Sequence, residues 1–234
     1  MTPRPRCGRN TVQGWARFSR WRWRNQADPA LQHFWEAELP APRRDWREIS
    51  FLVVDAEMSS LDPAEGELLS LGWVKIVGGA IQLATAEHVV IRARGSVGQS
   101  ATIHQLRDCE VAAGLDAAEA LDRFLECARG CVLVFHHAPL DLAYLNKLCQ
   151  EIHGAPLLQP HVCTLQTEKH RLARRDHTLK PGDLTLAACR ERYSLPRYQA
   201  HNALWDAMAT AELLLAQVAH RSRGKSLRLA DFAA

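Results

Sequence analysis

One apolar run, Ile-Ser-Phe-Leu-Val-Val-Asp at residues 49–55, constrains the fold of this chain more than any other stretch. The run is continuous and rich in β-branched residues, which is typical of a strand buried on both faces of a sheet. Such a sheet needs a covering layer on each side. Further strands are predicted at Trp73–Val77, Ala80–Ala84, Val89–Arg92, Cys131–Phe135 and Cys163–Leu165, the first two of these joined by Gly78-Gly79.

Helix signals alternate with these strands. Asp28 and Pro29 are a typical N-cap and first residue of a helix that runs to Leu39 and ends before Pro40. Other helices are predicted from Asp116, from Pro139, at Leu184–Tyr193 with Asp183 as cap, and at Ala203–Val218, while the basic stretch Thr167–Gly182 is predicted to be a surface loop. The order strand, helix, strand predicts an α/β fold.

Length and composition indicate one main globular domain. The 234 residues are 47% apolar and 24% charged, and no stretch approaches the ~20 uninterrupted apolar residues of a membrane span. The N-terminus carries arginines where a signal peptide is apolar, and the seven scattered cysteines lack any C-x-x-C pair, which is typical of reduced thiols in a cytoplasmic protein. We expect an N-terminal arm and short helix at 1–48, the main domain at 49–220 and a C-terminal tail at 221–234.

Residues 1–25 form a basic arm. They contain seven arginines, no acidic residue, and interleaved tryptophan and phenylalanine. Three interpretations stay open for this arm: a solvated tail, a nucleic-acid contact in which arginine meets phosphate and tryptophan stacks on bases, and a segment at a membrane surface.

Asp55 and Glu57 stand two residues apart at the end of the apolar strand. Side chains alternate along a strand, so both carboxylates are expected on the same face. Two like charges in one place call for a cation, and hard oxygen ligands favour Mg²⁺ or Mn²⁺. Taken alone, an Asp-x-Glu pair also fits a strand that simply ends in a polar turn.

Two more polar motifs follow at predicted helix starts. In the first, at residues 136–141 (His-His-Ala-Pro-Leu-Asp), a strand runs into a helix whose first turn carries Asp141. In the second, at residues 201–206 (His-Asn-Ala-Leu-Trp-Asp), Asn202 is the expected cap and Asp206 lies in the first turn. Each motif alone also fits ordinary helix capping.

In this order, the three motifs resemble those of the DEDDh (DnaQ-like) 3′–5′ exonucleases, and the chain is similar to the exonuclease domain of the DNA polymerase III epsilon subunit. Residues 54–61 (Val-Asp-Ala-Glu-Met-Ser-Ser-Leu) resemble the first family motif, hydrophobic-D-x-E-T-T-G-L, and residues 201–206 match H-x-A-x-x-D in full. The resemblance covers roughly residues 49–219. It implies a ribonuclease H-like exonuclease fold, with a mixed central β-sheet flanked by helices.

The resemblance also implies a mechanism and a ligand set. Two divalent ions, Mg²⁺ or Mn²⁺, would be held by Asp55, Glu57, Asp141 and Asp206, and His201 would take the proton of the attacking water. These five residues are the expected catalytic set. The expected substrate-binding residues are Met58, Leu61, His104, His137 and Leu140.

The chain departs from the family pattern at several of these positions. Met58, Ser59 and Ser60 stand where the family has T-T-G, His137 replaces an asparagine and Leu140 a phenylalanine. None of these changes removes an expected metal ligand. We therefore expect activity to be retained and substrate preference or rate to differ.

The predicted function is a stand-alone 3′–5′ exonuclease that acts on 3′ ends of DNA, RNA or both. No membrane and no polymerase partner is indicated, and a homodimer is left open. Two alternatives are a catalytically idle nucleic-acid-binding or scaffolding module on the same fold, and a hydrolase of another phosphoester.

Overall fold

The computed structural model describes residues 11–92, 113–176, 178–198, 202–222 and 224–231. Five strands form one sheet: β1 Phe51–Met58, β2 Leu68–Val77, β3 Ala80–Val90, β4 Val132–Phe135 and β5 His161–Cys163. Seven α-helices accompany them in the described ranges: α1 Thr11–Trp23, α2 Pro29–Glu36, α3 Ala117–Ala128, α4 Ala138–His153, α5 Thr164–Ala173, α6 Leu186–Glu191 and α7 Ala203–Ser222.

The sheet is mixed, with the order β3-β2-β1-β4-β5. Strand β1 is its centre: it pairs antiparallel with β2 and parallel with β4, and β4 pairs parallel with β5. The β2–β3 hairpin turns at Gly78 and Gly79, whose φ angles of 62° and 79° lie in the left-handed region that glycine adopts without strain. Because β1 and β4 are parallel, their carboxyl ends lie at the same edge of the sheet.

Two apolar cores cover the two faces of the sheet. Alternate residues of β1 divide between them, with Leu52 and Val54 in the first core and Phe51 and Val53 in the second. Helices α2, α3 and α4 pack on the first face, and α7 packs on the second. Asp55 and Glu57 continue the alternation on the second face, so the acidic pair extends the same row of side chains at the carboxyl end of β1.

Several predicted elements are confirmed with different bounds. The strand at 49–55 is β1, and it continues through the acidic pair to Met58. The helix predicted from Asp116 is α3, with the Asp116 side chain accepting from the Ala118 N–H at 2.9 Å. Asp28 caps α2 in the same way, accepting from Leu31 at 3.0 Å.

Other predictions were wrong in part. The runs at 80–84 and 89–92 were expected to be two strands, but Ala80–Val90 is one strand, β3, because an edge strand tolerates the polar residues between the runs. Thr164 begins α5 instead of continuing a strand, and α5 occupies the first part of the predicted loop at 167–182. The helix predicted at 184–193 is the shorter α6, whose cap is Thr185, because the Asp183 carboxylate accepts from the Lys180 N–H instead.

The basic helix α1 is anchored to the rest of the protein by a buried arginine. The Arg20 guanidinium donates to the carbonyls of Leu158 at 3.1 Å and Trp35 at 3.0 Å, and to the Gln159 side chain at 2.5 Å. Burial lowers its pKa to about 10, so it stays charged at neutral pH. The interpretation as a solvated tail therefore does not hold for α1, and residues 1–10 lie outside the described part of the chain.

Helices α1 and α2 lie at the edge of the sheet opposite the acidic pair. Leu158 and Gln159 precede β5, and the Asp28 N–H donates to the carbonyl of His153, the last residue of α4. Since α4 starts at the carboxyl end of β4, its twelve steps from Asp141 to His153 separate the two regions by roughly 18 Å at 1.5 Å per residue.

At the other terminus, Leu227 and Leu229 are buried in the second core. Among the helices that are described, none has the length and apolar character to cross a bilayer.

Candidate active site

Three carboxylates converge where the sequence predicts a metal site. The oxygens that Asp55, Glu57 and Asp206 offer as ligands all lie within 4.8 Å of one another. Asp55 and Glu57 come from the carboxyl end of β1, and Asp206 comes from the first turn of α7. Asp206, which follows Glu57 by 149 positions in the chain, therefore joins the acidic pair of β1 in one group.

A glycine on the neighbouring strand makes this convergence possible. Gly72 of β2 lies directly across from Asp55, and its missing side chain would point to the same face. A Cβ atom placed there would lie only 2.2 Å from the Ala203 carbonyl carbon and the Leu204 nitrogen. The backbone that starts α7 thus rests directly on β2, which brings Asp206 down beside Asp55.

The start of α7 is capped as the sequence predicts. The Asn202 side chain accepts a hydrogen bond from the Trp205 N–H at 3.2 Å. This cap satisfies one of the N–H groups that a helix start leaves unpaired and fixes the orientation of its first turn. Asp206 lies in that turn, near the positive end of the helix dipole.

Asp141 approaches the same region from the other side of β1. It lies in the first turn of α4 and is buried, with 6% of its surface exposed. Pairing between β1 and β4 ends at Val53, and beyond this point the Ala56 N–H is turned toward the Asp141 carboxylate and hydrogen-bonds it. Burial nevertheless raises the pKa of Asp141 to about 7, and the nearby Glu57 adds to the rise.

The electrostatics of the group call for a positive charge. Burial raises the pKa of Asp55 well above its ordinary value, and the charges of Asp141, Glu57 and Asp206 raise it further. All three neighbours are carboxylates, so each repels the ionised form of Asp55. A divalent cation would relieve this repulsion, and carboxylate oxygens are its preferred ligands.

The hydroxyl of Ser70 is a further polar group beside the cluster. Ser70 lies across from Glu57 on β2 and is fully buried, and its Oγ has no hydrogen-bond partner among the described residues. A buried hydroxyl without a partner costs free energy. Its position across from Glu57 fits a site that holds a cation and its water.

The loop that follows β1 is held over α4 by side chains of that helix. Tyr144 donates to the Ser60 carbonyl at 2.6 Å, and Lys147 donates to the carbonyls of Pro63 at 2.9 Å and Gly66 at 3.1 Å. These contacts leave Leu61 at the surface, with 81% of its area exposed.

His136, the first histidine of the second motif, is buried and holds two segments of the chain together. Its Nε2–H donates to the Leu184 carbonyl at 2.9 Å, which leaves Nδ1 to accept from the Thr164 hydroxyl at 2.8 Å. Burial lowers its pKa to about 4, so the ring stays neutral at physiological pH. His136 thereby ties the segment before α6 to the end of β4.

The remaining predicted site residues have different placements. His201 and His104 lie outside the described residues. Met58 is buried in the first core, with 6% of its surface exposed, whereas His137 is exposed at the start of α4. Leu140 is half-buried and packs against the first core.

Three residues that the sequence analysis did not single out support the site: Gly72, Ser70 and Tyr144. The glycine lies inside a strand, and an isolated glycine in a strand pattern is a known signal of close backbone approach. No comparable sequence signal marks Ser70 or Tyr144, because their roles depend on neighbours that are distant in the chain.

The chain belongs to the exonuclease family, because the model of the exonuclease family RNase T matches residues 52–214. The identification of a DnaQ-like exonuclease related to DNA polymerase III epsilon and PolC exonuclease domains is therefore confirmed. This family depends on divalent metal ions, and the acidic group supplies ligands of the appropriate kind.

Similar curated proteins include a PolC-type DNA polymerase III and a DNA polymerase III subunit epsilon. The DNA polymerase III PolC-type of Thermotoga maritima is 28% identical over 71% of this chain and 12% of its own length. The DNA polymerase III subunit epsilon of Aquifex aeolicus is 25% identical over 71% of this chain and 79% of its own length. The chain thus spans only a small part of the PolC-type polymerases that it resembles.

Solved structures confirm the ribonuclease H-like exonuclease fold. An exonuclease I structure superposes with a TM-score of 0.64 at 14% identity, over 79% of this chain and 43% of that one. Cell-death related nuclease 4 gives a TM-score of 0.62 at 12% identity, over 74% of this chain and 65% of that one. The mixed five-stranded sheet with flanking helices is the fold that the resemblance implied.

The raised pKa of Asp141 predicts how the metal-free protein responds to pH. The folded state holds a proton on Asp141 up to about pH 7, whereas the unfolded chain releases it near 3.8. Stability is therefore lost as pH rises through this window, because the unfolded state binds fewer protons there. Asp141→Asn removes the titration, so in EDTA its melting temperature should exceed that of the wild type increasingly from pH 4 to pH 8.

Thermal unfolding of both proteins across this pH range, with and without Mg²⁺, measures the effect. For a chain of this size each kcal/mol corresponds to about 2–4 °C. Glu65→Gln, at an exposed glutamate of the adjacent loop, is the matched control and should show no such gap. A constant difference between Asp141→Asn and wild type at all pH values would contradict the assignment.

The contact between Gly72 and α7 predicts the effect of a single methyl group. In Gly72→Ala the start of α7 must move off β2 and carry Asp206 with it, since backbone atoms cannot yield otherwise. Displacements on this scale cost up to about 10²-fold in rate. We expect Mn²⁺ affinity, measured by titration calorimetry, and hydrolysis to fall at least tenfold.

Lys75→Ala is the control for this change, because Lys75 is on the same strand as Gly72 but on the face away from α7. It pairs with Leu52, whose side chain faces the first core. Unchanged Mn²⁺ affinity in Gly72→Ala, with normal affinity in the control, would show that this contact does not position the ligand.

Proposed function

We propose that this protein is a 3′–5′ exonuclease that hydrolyses phosphodiester bonds at the 3′ end of a nucleic acid, with two divalent cations and a histidine base. One observation carries the proposal: Asp55, Glu57 and Asp206 converge within 4.8 Å at the edge of an exonuclease fold, beside a buried Asp141. Family membership supports the reaction class.

The protein's own residues supply distinct parts of this chemistry. Asp55, Glu57 and Asp206 would hold a cation, and Asp141 would complete the site. When bound, Mg²⁺ or Mn²⁺ lowers the pKa of water and stabilises charge on the phosphate. The helices α4 and α7 both begin at this edge, and helix N-termini favour the negative charge of a phosphodiester.

His201 is the proposed general base. It lies two residues before the start of α7, and its unperturbed pKa near 6.5 suits removal of a proton from water at physiological pH. His201 is also the remaining member of the five-residue family pattern. The proposal requires it within hydrogen-bond reach of the attacking water during the reaction.

Nucleic acid is the proposed substrate class. Exonuclease I shares the fold, and one of its structures is a complex with a dT13 oligonucleotide. That structure has a TM-score of 0.61 to this chain. We also propose that the protein acts without a polymerase, on DNA, RNA or both. Hydrolysis assays of the isolated chain with each nucleic acid test both points.

Loss of any one of the three converging carboxylates should abolish hydrolysis. Asp55→Asn, Glu57→Gln and Asp206→Asn each remove a ligand charge while keeping the shape of the side chain. Release of label from 3′-end-labelled and 5′-end-labelled single strands, with Mg²⁺, Mn²⁺ or EDTA, measures both the loss and the polarity. Full activity of a variant, or of the wild type in EDTA, would contradict the metal site.

Replacement of His201 should affect the rate more than substrate binding. His201→Ala should lower kcat by something like 10²–10⁴-fold, the usual contribution of a general base, with a much smaller change in KM. The wild-type rate should fall on acidification as the imidazole gains a proton. A kcat unchanged in His201→Ala would remove this residue from the mechanism.

A further inference from the structure

An aromatic pair stands at the surface immediately beside the acidic group. Trp205, the residue before Asp206, is 53% exposed, and Tyr198 is 38% exposed. Their ring centroids are 6.0 Å apart with an interplanar angle of 34°. Single exposed apolar side chains are ordinary on protein surfaces. Two of them in contact next to proposed metal ligands are a feature that core packing does not explain.

Polar contacts hold the Tyr198 ring, and a helix cap holds the backbone that carries Trp205. The Tyr198 hydroxyl donates to the Glu212 carboxylate at 2.7 Å, and the Arg190 guanidinium lies 4.7 Å from the centre of its ring. Arg190 is itself buried and bound to Glu212 at 2.7 Å. Asn202 caps the turn that carries Trp205. The Tyr198 ring and the backbone of Trp205 are therefore preorganised, which lowers the entropy cost of binding.

A cleft lies between Tyr198 and Asp206. It has a volume of about 320 Å³ and is lined on one side by apolar residues of α6 and the segment after it. Tyr198 and Asp206 both line it, so a ligand that reaches Asp206 through this cleft passes the Tyr198 ring, which Trp205 contacts.

We propose that Trp205 and Tyr198 form a stacking platform for an unpaired base of the substrate strand, close to the phosphodiester that is cut. This inference rests on the proposed function and adds a substrate class to it: single-stranded ends. Base–aromatic stacking tolerates any sequence, since every base has a π-face. In a blunt duplex the terminal bases are already paired and stacked on their neighbours, so stacking on the platform stabilises a bound duplex end less than a bound single-stranded end.

The platform is tested by combining ring removal with base removal. Trp205→Ala should weaken binding of a single-stranded oligonucleotide by roughly 5- to 150-fold, the equivalent of about 1–3 kcal/mol per stacked base. Fluorescence anisotropy in EDTA, which blocks hydrolysis, measures affinity directly. Because more than half of the Trp205 surface is exposed, the alanine variant should keep its melting temperature.

Oligonucleotides with one abasic site at each of the last four positions locate the contact. At one position, removal of the base should weaken binding to the wild type but not to Trp205→Ala, since that variant already lacks the ring on which the base would stack. Trp205→Phe should restore most of the affinity. In Mg²⁺, KM for single strands should rise in Trp205→Ala more than kcat falls, and the preference for single strands over blunt duplex should shrink.

Trp21→Ala is the matched control, because Trp21 is 71% exposed on α1 at the opposite edge of the sheet. It should leave the abasic profile unchanged. No abasic position that depends on Trp205, or an equal loss in both alanine variants, would overturn the platform while leaving exonuclease activity intact. Absence of wild-type hydrolysis in either metal would instead defeat the proposed function, and the two failures are thus distinct.

Discussion

Repulsion among four carboxylates is the constraint around which this protein is built. Four carboxylates lie together in a partly buried place: Asp55, Glu57, Asp141 and Asp206. The charges of the other three disfavour the ionised form of Asp55, and that of Glu57 disfavours the ionised form of Asp141. A fold that only needed stability would not bring them together, because ionised groups that are buried without a counter-charge cost several kcal/mol. A bound cation would make the arrangement favourable, which would couple the site to its ligand.

The rest of the scaffold keeps the four groups from separating. Apolar packing of α7 on the second face of the sheet, through Ala211, Leu214 and Val218, presses the helix onto the strands that carry the acidic pair. The backbone contact at Gly72 then decides how closely its first turn approaches. On the other face, α4 is fixed by its own core residues and brings Asp141 in from the opposite side.

Functions are also separated along the sheet. The carboxyl ends of β1 and β4 carry the acidic group, the cleft and the exposed aromatic pair, whereas the opposite edge carries α1 and α2. The arginine-rich helix α1 is therefore distant from the proposed chemistry. In the proposed function, a nucleic-acid contact at α1 would involve a part of the strand well away from the 3′ end, whereas Trp205 and Tyr198 would contact the terminal nucleotides.

The sequence by itself determined the local parts of this protein. Alternation along β1 put Asp55 and Glu57 on one face, and Asn202 was recognisable as the cap of α7, because both depend on residues a few positions apart. Tertiary structure alone decided that the start of α7 packs against Gly72, that β3 is one strand, and that Arg20 is a buried anchor in a basic segment. Those outcomes depend on atoms from distant parts of the chain, and local propensity carries no information about which distant backbone or carbonyl a residue will meet.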